Sequence, residues 1–126
     1  MTRYRYNRQV LPPAPFVYVT IEPPVAGSLA VECPAQLDTA ADCTVIPWRL
    51  VEELQLDQLA ELPTLGFDGH LTTLPTFLVR IGIRDFAPQA AEVFASMHEP
   101  YVLLGRDVLN RFRIILDGPG LVVDIE

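Results

Sequence analysis

Twelve prolines fall within 126 residues. Proline fixes φ and has no N–H to donate, so it breaks helices and is confined to the margins of sheets. A long-helix architecture is therefore excluded, and short strands joined by fixed turns are favoured. The apolar pattern between the prolines agrees. From Phe16 to Glu22, Val17, Val19 and Ile21 alternate with Tyr18, Thr20 and Glu22, which is the period of a half-buried strand. Pro23-Pro24 ends that run, and Ala26-Gly27 is expected to turn the chain. Strand character resumes from Ser28 to Cys33, with Pro34 expected to break it before Leu37.

Thr44-Val45-Ile46 predicts a short buried strand. Pro47 suits the first turn of a helix, where its missing N–H is not needed. Leu50, Val51, Leu54 and Leu59 fall at helical spacing, with Glu52, Glu53 and Asp57 facing water. Pro63 to Leu74 predicts a hairpin, turned by Gly66-Phe67-Asp68-Gly69. Its return, interrupted by Pro75, runs on to Ile83. Ala90–Ala95 and Tyr101–Leu104 predict strands, and Arg106–Phe112 a short helix. Arg113–Asp117 and Leu121–Ile125 predict strands joined by Gly118-Pro119-Gly120. About eight short strands and two short helices make an all-β closed sheet or barrel with little helix.

One domain is expected at this length, residues 16–126, preceded by an N-terminal arm or edge strand over residues 1–15. Hydrophobic residues make up 50% of the chain, enough for a core and too many for disorder. The arm alternates Arg3, Arg5 and Arg8 with Tyr4 and Tyr6. A formal net charge of −7 nevertheless argues against a nucleic-acid partner, which needs a basic face. No apolar run approaches the ~20 residues of a membrane span, and no leader is visible, so a cytoplasmic protein without a membrane partner is expected. Cys33 and Cys43 read as reduced structural thiols. His70 and His98 read as solvated loop residues. There is no phosphate loop, nucleophile triad or metal-ligand cluster, so neither cofactor nor metal is expected.

The stretch that demands chemistry is Asp38-Thr39-Ala40-Ala41-Asp42. It places an acid where an apolar strand ends, between two core segments. A carboxylate there must be paired, hydrogen-bonded or reactive. These five residues resemble the Asp-Thr/Ser-Gly-Ala signature of retropepsin-like aspartic proteases. Leu103-Leu104-Gly105-Arg106-Asp107-Val108-Leu109 resembles that family's second signature, an apolar pair followed by Gly-Arg-Asn/Asp at the start of a short helix. The Gly-containing hairpin between them matches the family's flap. The resemblance covers nearly the whole chain from Phe16 onward.

The resemblance implies a closed β-barrel of the acid-protease type, one lobe per chain. It implies a peptide or protein substrate, hydrolysed by water held between two carboxylates. Two like charges in contact cannot both ionise, so the pair shares a proton and titrates as a unit. This chain carries one such signature, and Asp42 is too close in sequence to serve as the second acid. The dyad would then be Asp38 from each subunit of a homodimer. By the same resemblance, Thr39 bonds across the dimer and Ala41 packs under the loop. Asp42 contacts substrate backbone and Arg. Gly105, Arg106 and Asp107 support the active-site loop, and Gly66, Phe67, Asp68, Gly69 and His70 form the flap. Leu121–Ile125 would join an inter-subunit sheet. Val45 and Val79, equally well read as core, are candidate pocket walls.

Ala40 departs from the family pattern, which has Gly there. If position 40 needs a positive φ, Ala costs about 1 kcal/mol or more. A second reading follows: a catalytically silent fold of this type, serving as a dimerisation or peptide-binding module.

Overall fold

The computed structural model describes residues 1–25, 27, 29–66 and 68–126. Among them are ten strands and two short helices. In chain order these are β1 (Thr2–Arg5), β2 (Phe16–Glu22), β3 (Val31–Leu37), β4 (Val45–Pro47), α1 (Trp48–Leu54), β5 (Gln58–Leu65) and β6 (Leu71–Ile83). They continue with β7 (Gln89–Ser96), β8 (Val102–Leu104), α2 (Arg106–Leu109), β9 (Ile114–Asp117) and β10 (Val122–Ile125). None of the helices is long and apolar enough to cross a membrane.

Seven strands form one sheet in the order β2-β3-β8-β4-β7-β6-β5. β2 also pairs with β6, from Val19↔Ile83 to Glu22↔Arg80. That pairing closes six strands into a barrel and leaves β5 outside it as an extra edge strand. Closure removes the edges that an open sheet would expose. The barrel interior is filled by Val17, Val19, Ile21, Ile46, Leu50, Val79, Ile81, Val93, Val102 and Leu104, none more than 1% exposed. Trp48 at the start of α1 meets Phe77 edge-on, with ring centroids 6.0 Å apart. Val79 is thus part of the core and lines no cleft, whereas Val45 is half-buried.

Prolines within strands follow one rule. Pro34 pairs with Tyr18 inside β3, and β8 joins the other side of β3 only from Ala35 onward. Pro75 pairs with Glu61 inside β6, and β7 joins only from Thr76. Pro63 stands in β5, an edge strand. Each sits where the strand has a neighbour on one side only, so no ladder donor is missed. Pro34 and Pro75 therefore do not interrupt their strands, as the sequence suggested they would. The run after the first turn also begins later than expected. β3 starts at Val31, Leu29 is exposed, and Ala26 and Ser28 lie outside the described residues.

α1 is shorter than its apolar spacing suggested. Gln55 takes a left-handed conformation, φ 51°, and its N–H bonds the Glu52 carbonyl at 3.2 Å. That cap ends the helix at Leu54. Leu59 then belongs to β5, where it is exposed. Pro47 closes β4 and caps α1 from outside rather than occupying its first turn.

The remaining strands make a separate sheet in the order β1-β10-β9. β10 is its centre, bonded to β1 on one side and β9 on the other. The C-terminal strand then has no free edge of its own to offer another subunit, because both its edges are filled by its own chain. Residues 2–5 of the arm are an edge strand. Arg3 holds β1 to β10 through two bonds to the Asp124 carboxylate, at 2.7 and 3.0 Å.

The Arg3 guanidinium keeps the Asp124 carboxyl below its ordinary range. The stabilisation it carries is complete above the unfolded value, near ~3.9, and is lost as pH falls through the lower folded value. A side-chain NMR titration should show the Asp124 midpoint rising in Arg3→Gln. Equal midpoints in the two proteins would contradict this assignment.

Candidate active site

Asp38 follows the last residue of β3. β8 lies between β3 and β4 in the sheet, so the 38–44 turn has to bridge the end of β8. β8 is bound on one side by β3, in parallel from Ala35↔Val102 to Leu37↔Leu104, and on the other by β4 at Val45↔Leu103. The pattern continues into the turn, where the Asp38 N–H donates to the Leu104 carbonyl at 3.0 Å. The chain then leaves β8 at Gly105 and passes directly under the turn. A Cβ at Gly105 would lie 2.6 Å from the Cys43 carbonyl carbon and 3.0 Å from the Ala41 oxygen. No real side chain fits there, so the two loops can cross only at glycine.

Polar bonds lock the crossing. The Arg106 N–H donates to the Ala41 carbonyl at 2.9 Å, and Asp107 N–H to the Asp42 carbonyl at 3.3 Å. The Arg106 guanidinium donates to the Thr39 carbonyl at 2.8 Å and pairs with the Asp42 carboxylate. Beneath this surface clamp lies a buried one. The Thr44 hydroxyl, fully buried, donates to Asp107 Oδ1 at 2.9 Å and accepts from the Gly105 N–H at 3.1 Å. Thr44 N–H donates to Asp107 Oδ2 at 3.1 Å, and Asp107 Oδ1 also takes the Val108 N–H at 2.9 Å. Among the described residues, no buried side-chain polar atom is left without a partner.

Within this frame Asp38 is half-buried, and Thr39 and Ala40 are exposed. Asp38 Oδ1 accepts the Ala40 N–H at 3.2 Å, and the Ala41 N–H returns to the Asp38 carbonyl at 3.2 Å. The turn thus orients the carboxylate while leaving it open to solvent. Ala40 is not among the residues with positive φ. Its methyl carries no backbone strain, and the cost contemplated from sequence does not arise. Burial raises the pKa of Cys33 to about 11, and burial followed by Asp107 and Asp42 raises that of Cys43. Both stay thiols at neutral pH, so neither is an activated nucleophile.

The flap positions stand at the tip of the β5–β6 hairpin, with Phe67 outside the described residues. The Gly66 N–H donates to the His70 carbonyl, and Gly69, at φ 80°, closes the turn onto the Gly66 carbonyl, both at 3.1 Å. Asp68 accepts the His70 N–H at 3.0 Å and meets the His70 ring at 3.1 Å, and these contacts lower its pKa. Leu65 and Leu71 face each other across the hairpin, 70% and 75% exposed. Asp38 lines none of four clefts, of about 280 to 720 Å³, among the described residues.

Sequence reasoning missed Thr44. It was read only as the first residue of a strand. A hydroxyl ahead of an apolar run, two residues after the second acid, was the available signal.

No protein-family model matches this chain, and no curated protein sequence matches it. Solved structures do. A retropepsin-like aspartic protease from Rickettsia conorii superposes with a TM-score of 0.66 at 14% identity, over 98% of this chain and 88% of that one. The EIAV protease in complex with an inhibitor gives 0.55 at 22% identity, over 86% and 93%. The simian foamy virus protease gives 0.55 at 18% identity, over 75% and 91%. At these identities the likeness is one of fold, and the fold is that of the retropepsin-like aspartic proteases.

The crossing of the two loops makes a direct prediction. Gly105→Ala forces the Cys43 and Ala41 carbonyls to move and should destabilise the protein by about 1–3 kcal/mol or more. Denaturant unfolding measures this. An unchanged midpoint would mean that the loops do not approach as described.

Proposed function

We propose that this chain is an aspartic endopeptidase that works as a two-fold homodimer, with one Asp38 from each subunit. The observation that carries this reading is the Asp38 turn. It is fixed over β8 by Gly105, Arg106 and the Thr44–Asp107 pair, yet its carboxylate is left open on one face. So much structure around one half-exposed acid is preorganisation of a reacting group. The fold shared with the retropepsin-like structures supports the same reading.

In the dimer, one carboxylate takes a proton from a water molecule as that water attacks the scissile carbonyl carbon. The other, protonated, donates to the carbonyl oxygen. The tetrahedral intermediate collapses when the amide nitrogen takes a proton and leaves. The hairpin of β5 and β6 would cover the peptide, and the exposed Leu65 and Leu71 fit apolar side chains beside the cut. Thr39, exposed on the turn, would bond its own copy across the axis. Arg106 and Asp107 act as positioning residues.

Asp38→Asn should lower peptide hydrolysis by at least on the order of 10²–10⁴, with circular dichroism and sedimentation unchanged. Activity per subunit in the wild type should rise with protein concentration as the dimer forms. An Asp38→Asn protein that cleaves as fast as the wild type would overturn the assignment.

A further inference from the structure

All four tyrosines of the chain line one cleft. Tyr4 comes from β1, Tyr6 from the arm just beyond it, Tyr18 from β2 and Tyr101 from the residue ahead of β8, and they meet around a cavity of about 520 Å³. Arg5 and Arg8 complete its wall. A second cleft, of about 470 Å³, shares Tyr4, Arg5, Tyr6 and Arg8 with the first.

The charge at these clefts runs against that of the chain. The sequence holds sixteen acids against nine arginines, yet among the described residues no acid lines either cleft. The two other clefts carry acids, Glu53 and Asp57 in one and Glu22 and Asp85 in the other. The difference comes from the arm, since residues 1–15 contain three arginines and no acid. Arg3 is committed to Asp124. Arg5 and Arg8 are exposed and, among the described residues, make no ion pair or side-chain hydrogen bond.

The tyrosine cleft stands on fixed backbone. The Tyr6 N–H donates to the Leu121 carbonyl at 2.9 Å, and Asn7 and Ala14 exchange both backbone bonds, at 2.8 and 3.2 Å. The alternation that sends Val17 and Val19 inward turns Tyr18 outward, 57% exposed, beside its register partner Pro34. Phe16 meets Tyr101 edge-on, with ring centroids 4.9 Å apart. None of the four phenol hydroxyls bonds to another described group, and no buried side-chain polar atom lacks a partner, so each hydroxyl reaches solvent. A site held in place before its ligand arrives spends less free energy on ordering.

These groups define a ligand. A guanidinium binds a carboxylate through two parallel hydrogen bonds, and a tyrosine offers a flat apolar face with a polar edge. Grooves lined by aromatic rings take proline-containing segments, which are already extended and lose little entropy on docking. A single strand of nucleic acid would use the same rings and cations. It is a continuous polyanion, however, and beyond the clefts it would run over the acidic remainder of the chain. A short acidic segment places its charge only where the arginines are.

We propose that the cleft of the four tyrosines, with Arg5 and Arg8, binds an acidic, proline-containing segment of another protein. The inference goes beyond the protease reading and does not draw on it, since Asp38 lines neither cleft.

The test is isothermal titration calorimetry of the full chain with a capped peptide of four Glu-Pro repeats. Asp38→Asn is the background, so that no cleavage consumes the probe. The peptide should bind, and added salt should weaken it. Four Gln-Pro repeats should bind at least about tenfold more weakly. Arg5→Gln and Arg8→Gln should each weaken the Glu-Pro peptide by about fivefold to tenfold, and Tyr18→Ala by about fivefold or more. Folding is checked by the unfolding midpoint. If Tyr18→Ala fails to fold, Tyr18→Thr replaces it, because threonine suits an exposed strand position and still removes the ring. The three variants separate this cleft from a groove over Asp38, so a peptide whose affinity none of them changes overturns the proposal. Equal affinity for the Gln-Pro and Glu-Pro peptides overturns it too, as does no binding of the Glu-Pro peptide at millimolar concentration. An octamer of uridine that binds as tightly as the peptide, or displaces it, overturns the peptide in favour of nucleic acid. All of these failures leave the protease reading intact. A chain that binds the peptide through Arg5, Arg8 and Tyr18, and whose wild type hydrolyses no peptide, overturns the protease reading alone.

Discussion

The contact of Gly105 with the backbone of Ala41 and Cys43 is the constraint on which the site depends. Insertion of β8 between β3 and β4 leaves the Asp38 turn to bridge a strand end. A bridge of seven residues would ordinarily be a mobile loop. Here it is pressed against a second chain segment with no side chain between them. The backbone groups exposed by the crossing then find one another, Arg106 N–H with the Ala41 carbonyl and Asp38 N–H with the Leu104 carbonyl. Thr44 and Asp107 satisfy those that remain. A half-buried acid and a buried hydroxyl are tolerable because each satisfies the other and a backbone donor as well.

The barrel and the site make opposite demands, and the chain meets them in different places. Closure by β2–β6 pairing removes the edges of the main sheet and fills its interior with aliphatic side chains. The strands around the acid are the shortest in the sheet, three residues each in β4 and β8. Their ladders alone would hold the turn weakly. The cluster of Thr44, Asp107 and Gly105 makes up for that shortness.

One chain offers one carboxylate, and its surroundings look outward. Asp38 is half-buried, the hairpin presents leucines to solvent, and among the described residues no strand pairs with the outer edge of β9.

Much of this was legible in the residues. The alternation of Phe16–Glu22 and of Val79–Ile83 fixed the strands, because period two admits little else. Asp38 and Gly105 stood out because an acid at the end of an apolar run, and a glycine before Arg-Asp, are chemically conspicuous. What failed was local reading of residues whose role is set across the sheet. Pro34 and Pro75 looked like breaks, since the absence of a neighbour on one side is a matter of strand order. Leu59 kept helical spacing beyond a left-handed Gln55 that no pattern marks. The C-terminal strand looked free because β1, some 120 positions away in sequence, is what fills its edge, Thr2 against Ile125. Thr44 stayed hidden for the same reason, its partners being Gly105 and Asp107. The sequence by itself determined the strand periods, the acid at the end of an apolar strand and the glycine ahead of Arg-Asp. Only the tertiary structure decided which strand edges are filled, because hydrogen-bond pairing between distant segments leaves no local trace.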